Sequence, residues 1–311
     1  MTSGQFEIWD VSSWDAVNQE PIGREEKLWV REPGASSRSR ERDWLFKPVI
    51  IKSGHRQGED WAEKIVSELG GLMGVPCAEI RFAVRDGRPG SLSRNVAPDE
   101  WNLVSGSILL SELIENYQEG RLSPPGRPGH SPKTVCQALS SCEPAPGVAG
   151  LGAFEVFAGY LELDAWVANR DRHDENWAVL VTTALPERRC RLAASFDHAS
   201  SLGFGERDHT RAQLLQSGKI SSWARKGTAV RFEHDPSSPK SDIPSLVTTA
   251  DLALALAGAR ARAHWMQRLA AVSREEIQNL ILRTPNLSDV TASFILELLT
   301  INRERLLDEC G

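Results

Sequence analysis

The chain has 311 residues, 41% hydrophobic content and a formal charge of −6, which is enough apolar material for two substantial cores and gives no global attraction for nucleic acid or an anionic membrane. No run approaches the roughly twenty apolar residues of a membrane span, and Met1 to Asp10 lack the basic and apolar regions of a signal peptide, so a cytoplasmic location without a membrane partner is expected. Five cysteines without a C-x-x-C pair are expected as ordinary reduced thiols.

In chain order, the first informative segment is Arg31–Arg42, which is small, polar and basic. Its backbone amides and guanidiniums suit a phosphate-covering loop; a solvated arginine-serine linker is the alternative. Neither G-x-G-x-x-G nor G-x-x-x-x-G-K-[ST] occurs, so a dinucleotide fold or a P-loop is not indicated. Asp43–Ile51 reads as an apolar strand interrupted by Lys47, which either faces nucleotide phosphates or, as Pro48 suggests, sits on an edge strand facing water. Glu59–Leu69 is helical in pattern and offers Glu59 and Glu63 to that lysine. Ser107–Ile114, which contains Glu112, reads as a strand that either runs into a connector or belongs to the core. Residues 120–150 are rich in turn formers, from Ser123 to His130 and again at Pro144 and Pro146, and mark an expected flexible connector.

Phe154, Phe157, Ala158, Leu161, Ala165 and Ala168 recur at helical intervals and predict a helix over 152–168, with Asn169 as its terminator. Beyond it, Asp171 and Asn176 are five residues apart, roughly 140° off one helix face, so both belong to a loop. Trp177–Val181 and Cys190–Phe196 read as two strands with Pro186 in the turn, a hairpin that returns Asp197 beside Asn176. An aspartate, an amide and a second aspartate are the polar parts a phosphoryl-transfer site needs: Asp171 to orient the attacking hydroxyl, Asn176 and Asp197 to hold magnesium. The bland alternative is an Asp/Asn-rich turn whose side chains cap local backbone. Residues 203–242 form a polar segment suited to an acceptor site. Helical spacing then dominates over Leu246–Arg268, Ile277–Arg283 and Phe294–Leu307, with Ser273 and Glu276 as a capping box.

Asp164-Ala-Trp-Val-Ala-Asn169-Arg-Asp171-Arg-His173-Asp-Glu-Asn176 resembles the catalytic loop of HipA-like kinases and related bacterial phosphatidylinositol-kinase-like proteins. Ala194-Ser-Phe-Asp197-His-Ala-Ser-Ser-Leu202-Gly203 resembles their second metal-binding segment. The resemblance is specific over residues 155–205 and implies an α+β, bilobal protein-kinase-like fold. A small β-rich N-lobe would span 1–119, a connector or insertion 120–150, and a mostly helical C-lobe 151–311. ATP and Mg2+ are the implied cofactors. Asp171 is then catalytic with His173 bracing its loop, and Asn176 and Asp197 are metal ligands. Lys47, Glu63, Ser36, Ser37 and Glu112 fall on the nucleotide side. Glu63 is favoured over Glu59 because the family pattern puts the helix glutamate six residues before a Leu-small pair, here Leu69-Gly70. Ser36, Ser37 and Ser39 also match by position a regulatory serine that such kinases can carry.

The implied activity is transfer of the γ-phosphate to a hydroxyl-bearing acceptor, a protein serine or threonine or a small molecule. Two alternatives stay open: a metal-dependent hydrolase built on His173, Asp174, Asp197 and His198, and a catalytically silent nucleotide-binding scaffold. The additional amino-terminal subdomain of such proteins has little room before Gly34, so toxin function and an antitoxin partner on DNA are not carried over.

Overall fold

A computed structural model describes residues 4–19, 27–34, 39–182 and 189–311. The amino-terminal part opens with strands β1 (Ile8–Asp10), β2 (Asp15–Gln19), β3 (Leu28–Arg31) and β4 (Asp43–Pro48). A short hairpin follows, β5 (Ile51–Lys52) with β6 (His55–Arg56), then helix α1 (Glu59–Met73) and the hairpin β7 (Ile80–Arg85) and β8 (Arg88–Arg94). Six of these strands form one sheet in the order β1-β7-β8-β4-β3-β2.

Strand β4 is interior, with Leu28 of β3 opposite Phe46 on one side and Ser91 of β8 opposite Lys47 on the other. This removes the edge-strand alternative for Lys47. Pro48 is tolerated because the pairing with β3 stops at Phe46 and the strand itself ends at the proline. Alternation then decides the faces: Trp44 and Phe46 enter a small core with Val11, Trp14, Val30, Ala83 and Leu92, so Lys47 points to the opposite face, where α1 lies. Gly90 permits the close approach of β8 to this point, since a Cβ there would lie 2.3 Å from the Lys47 carbonyl oxygen.

The chain leaves the sheet at Arg94 and reaches β9 (Trp101–Ser105) through residues 95–100. Helix α2 (Gly106–Leu113) follows directly, which corrects the strand expected over Ser107–Ile114. Short apolar runs do not distinguish strand from helix by periodicity, and here the strand had already ended at Ser105. Residues 120–150 contain α3 (Pro132–Ala138), capped reciprocally by Ser131 and Thr134, and are tied down on both flanks, first where Gly120 N donates to Asp174 Oδ2 at 3.0 Å. Glu143 bonds to Cys190 O and accepts from Leu192 N, at 2.8 and 2.9 Å, and beside it Cys142 and Cys190 are joined in a disulfide. That bond corrects the expectation of five reduced thiols; a sequence separation of 48 hid a proximity that only the backbone pairing creates.

Helix α4 (Ala153–Val167) is buried on every face, all its residues except Glu155 being inside, as befits the central helix of a bundle. After it come β10 (Ala178–Thr182) and β11 (Cys190–Leu192), which with β9 form a three-stranded sheet ordered β11-β10-β9. The rest is helical: α5 (Asp208–Gln216), α6 (Ile220–Ala224), α7 (Leu246–Ala257), α8 (Ala259–Ala271), α9 (Arg274–Arg283) and α10 (Asp289–Cys310). The single apolar stretch expected over Leu246–Arg268 is two helices, broken where Gly258 takes φ 90°. Ser273 and Glu276 make the expected capping box at the start of α9. Among the described residues no helix is long and apolar enough to cross a membrane.

One ionisable group inside α4 has a measurable consequence. Among the described residues neither carboxylate oxygen of buried Glu162 has a hydrogen-bond partner, and burial, opposed by Arg262, pushes its pKa up to about 8. A folded-state value above the unfolded one favours the folded protein at low pH and is lost as pH rises from about 4.5 through 8. At pH 7 the penalty is on the order of 3 kcal/mol. Denaturant midpoints of the wild type should therefore fall across this window, whereas Glu162→Gln should remove that component of the slope; parallel profiles would contradict the assignment.

Candidate functional site

Lys47 donates to Glu63 Oε1 at 2.6 Å and to Asp197 Oδ1 at 3.0 Å, joining the sheet, α1 and the segment after β11 in one contact. Glu63, 1% exposed, is also held by the Ser91 hydroxyl at 3.2 Å. Burial disfavours charge on Lys47, but the Asp197 and Glu63 carboxylates outweigh it and raise its pKa, so the ammonium persists. Burial likewise works against the Asp197 carboxylate, and Lys47 and Lys27 more than offset it and hold its pKa low. Lys27, at 3.8 Å from Asp197 Oδ2, is a site residue that the sequence did not single out. It stands at the start of β3, level with the Lys47 end of β4, a proximity that no sequence motif signals. Asp197 itself adopts φ 58°, a left-handed conformation that aspartate tolerates better than most residues and that recurs at functional sites.

The catalytic-loop candidate is shaped from below by buried charge. Helix α4 ends where Ala168 turns to φ 56°, and Asn169 N closes the turn on Asp164 O at 2.8 Å. Asp164, two turns of chain earlier, is bonded through both oxygens to Arg172, at 2.7 and 2.8 Å, and accepts from Asn169 Nδ2 at 2.8 Å. The same guanidinium donates to Asn176 O at 2.6 Å and Ser195 Oγ at 2.9 Å, and so fastens the loop to the strand that leads to Asp197. Arg172 thus braces the loop against that strand. The His173 ring, 21% exposed at the side chain, accepts from Glu175 N at 3.2 Å through Nδ1, a bond within the loop itself. Asn176 Nδ2 donates to Asp171 O at 2.7 Å, which fixes the amide and leaves its oxygen available.

Asp171 faces out of this loop. Arg231 approaches its Oδ1 through Nε and Nη2, both at 2.7 Å, and Ser200 Oγ reaches Oδ2 at 3.5 Å. The Arg231 backbone is fixed from behind: its carbonyl accepts from His130 Nδ1 at 2.6 Å, while His130 Nε2 accepts from Trp177 Nε1 at 3.2 Å. Both bonds together require a neutral ring, and burial pushes the His130 pKa down to about 4 in agreement. Neither Arg231 nor His130 was legible as a site residue, because each lies more than forty residues from the loop with no spacing signal.

Three expectations need correction or bounding. The segment Arg31–Arg42 joins β3 to β4 at the end where Arg31 pairs with Asp43, four residues along the strand, about 13 Å, from Lys47. Its described flanks therefore sit at the wrong end of the sheet for a phosphate cover, and Arg31 and Arg42 pair with Asp43 and Glu32. Ser36 and Ser37 lie outside the described residues. Glu112 is exposed on α2 rather than in a connecting strand, and the chain actually crosses between the two parts at residues 95–100. The hydrolase set of His173, Asp174, Asp197 and His198 does not assemble: the His198 ring is buried against Ser195 Oγ at 2.7 Å, and Asp174 Oδ2 accepts from Tyr117 and Gly120 N. Among the described residues the group with metal-ligand spacing is His173, Asp174 and Glu175.

No protein-family model matches the sequence, and no curated protein does. Solved structures do match. The chain is similar to the Helicobacter pylori proinflammatory kinase CtkA, with TM-score 0.70, 14% identity, and 97% of this chain and 96% of that one covered. It is also similar to HipA in the Shewanella oneidensis HipA, HipB and operator DNA complex, with TM-score 0.55, 16% identity, and 97% and 69% coverage. An amino-terminal sheet with a helical carboxy-terminal part, aligned over nearly the whole chain, gives this protein a HipA-like kinase fold.

Proposed function

We propose that the protein is an ATP- and Mg2+-dependent phosphotransferase acting on an alcohol group. The observation that supports this is the Glu63–Lys47–Asp197 contact, an ammonium held between two carboxylates, with the loop of Asp171 and Asn176 tied through Arg172 to Ser195, two residues before Asp197. Lys47, oriented by Glu63, would bind nucleotide phosphates, with Lys27 as a second cation. The connector at residues 95–100, which follows β8 beside the Lys47 strand, would take adenine through its backbone. Asn176 and Asp197 would hold magnesium: one amide oxygen and one carboxylate are hard donors of the kind that ion takes alongside phosphate. When bound, the ion neutralises charge that develops on the phosphoryl group.

Asp171 would receive the acceptor hydroxyl's proton as the new oxygen–phosphorus bond forms; the bond to the bridging oxygen breaks and ADP leaves. Protein and small-molecule acceptors are both compatible with the half-exposed face around Asp171 and Arg231. Incubation of the full chain with labelled ATP and magnesium, followed by intact-mass measurement and profiling of a metabolite extract, tests the proposal. Label on the protein or on a small product is expected, and no transfer to any acceptor would count against it.

A further inference from the structure

We infer that Arg231 is a positioning residue for phosphoryl transfer, holding Asp171 by one carboxylate oxygen so that the other faces the acceptor hydroxyl. This rests on the kinase reading of the site and adds a residue to it.

Three observations support a fixed aid rather than a mobile plug. The guanidinium meets Asp171 on Oδ1 alone, through both Nε and Nη2, and among the described residues Oδ2 has only the long 3.5 Å contact from Ser200. A block would cover both oxygens. The Arg231 main chain is also clamped, by His130 on its carbonyl and by the neighbouring bonds Glu233 N to His130 O at 2.7 Å and His234 N to Gly126 O at 2.8 Å. His130 is stacked on Phe232 with centroids 4.5 Å apart and takes the Trp177 indole N–H, so the clamp is built into the base of the catalytic loop. Finally, the loop from Asp171 to Asn176 has one lysine or arginine, Arg172, and it is 2% exposed and turned inward onto Asp164, Asn176 O and Ser195. The His173 ring, accepting a backbone N–H at Nδ1, is neutral. Arg170, exposed and immediately before Asp171, makes no bond to it among the described residues; the cation that does is Arg231, from 60 residues away.

A carboxylate held by one oxygen has a single orientation, and preorganised polar groups of this kind act in the transition state more than in nucleotide binding. Turnover and Mg-ATP affinity should be measured on the full chain for wild type, Arg231→Ala, Arg231→Lys and Arg231→Gln, with self-phosphorylation or slow ATP hydrolysis as readout and a melting curve for each variant. Arg231→Ala should lose about 10²-fold in kcat with Mg-ATP affinity unchanged. Arg231→Lys should recover most of the loss, and millimolar guanidinium should raise Arg231→Ala at least about tenfold without reviving Asp171→Asn. A residue that served folding alone would show neither rescue. Unchanged kcat, a loss confined to Mg-ATP affinity, or increased turnover, the mark of an inhibitory plug, would each overturn the inference while leaving the kinase reading intact. If Arg231→Ala does not fold, the same criteria apply to Arg231→Gln against Arg231→Lys. A wild type that neither binds Mg-ATP nor turns it over would overturn the kinase reading and this inference together.

Discussion

Asp171→Asn should bind Mg-ATP as the wild type does and transfer phosphate at least about 10²-fold more slowly. The substitution is nearly isosteric, and the amide oxygen can still accept from Arg231, so the loop and its guanidinium partner should keep their places. What disappears is the capacity to take the acceptor's proton in the transition state, a loss that appears in kcat and not in nucleotide affinity. Asp174 provides the internal control. It is 2% exposed, and its Oδ2 accepts from Tyr117 Oη and Gly120 N, so Asp174→Asn should act on stability before chemistry. Near-native turnover in Asp171→Asn with loss in Asp174→Asn would show that the catalytic register is misplaced.

The largest effect on stability is expected from Arg172→Met. The Arg172–Asp164 pair is 2% and 3% exposed at the side chains, and removing one partner leaves the Asp164 carboxylate buried in a low-dielectric interior. Breaking such a pair costs on the order of 3–5 kcal/mol. The consequence extends to the site, because Arg172 also joins Asn176 O to Ser195 Oγ and thereby fixes the loop against the strand before Asp197. The denaturant midpoint should fall steeply, and restoring charge balance with Asp164→Leu in the same chain should recover part of the loss. An unchanged midpoint for Arg172→Met would contradict this account of how the loop is held.

The legible parts of this molecule are those where local pattern and tertiary role coincide. The helix 59–69, the helix 152–168 and the strands around the 177–196 hairpin declare themselves by periodicity, and the five-residue step from Asp171 to Asn176 excludes a helix on geometry alone. Lys47 and Glu63 meet because a strand face and a helix face, each readable, are opposed by the fold. The failures have physical causes. Ile108-Leu109-Leu110 is apolar enough for either strand or helix, and nothing local says that β9 ends at Ser105. The basic run Arg31–Arg42 has the composition of a phosphate cover, yet which end of β4 a connection leaves from depends on strand direction; it is Lys27, before β3, that comes level with Lys47. No local pattern separates Arg172 from its charged neighbours in the loop; its burial, at 2% exposed, is a tertiary property. Arg231 and His130 reach the loop only through tertiary folding, which a single sequence does not display.

The central claim is that Asn176 and Asp197 hold magnesium against ATP phosphates beside Lys47. Calorimetric titration of ATP into wild type, Asn176→Ala and Asp197→Ala, each with magnesium and each with EDTA, tests it most directly. The wild type should bind ATP more tightly with magnesium, and both variants should lose most of that gain while retaining the affinity seen in EDTA. Equal losses under the two conditions in correctly folded variants, or a wild type indifferent to magnesium, would contradict it.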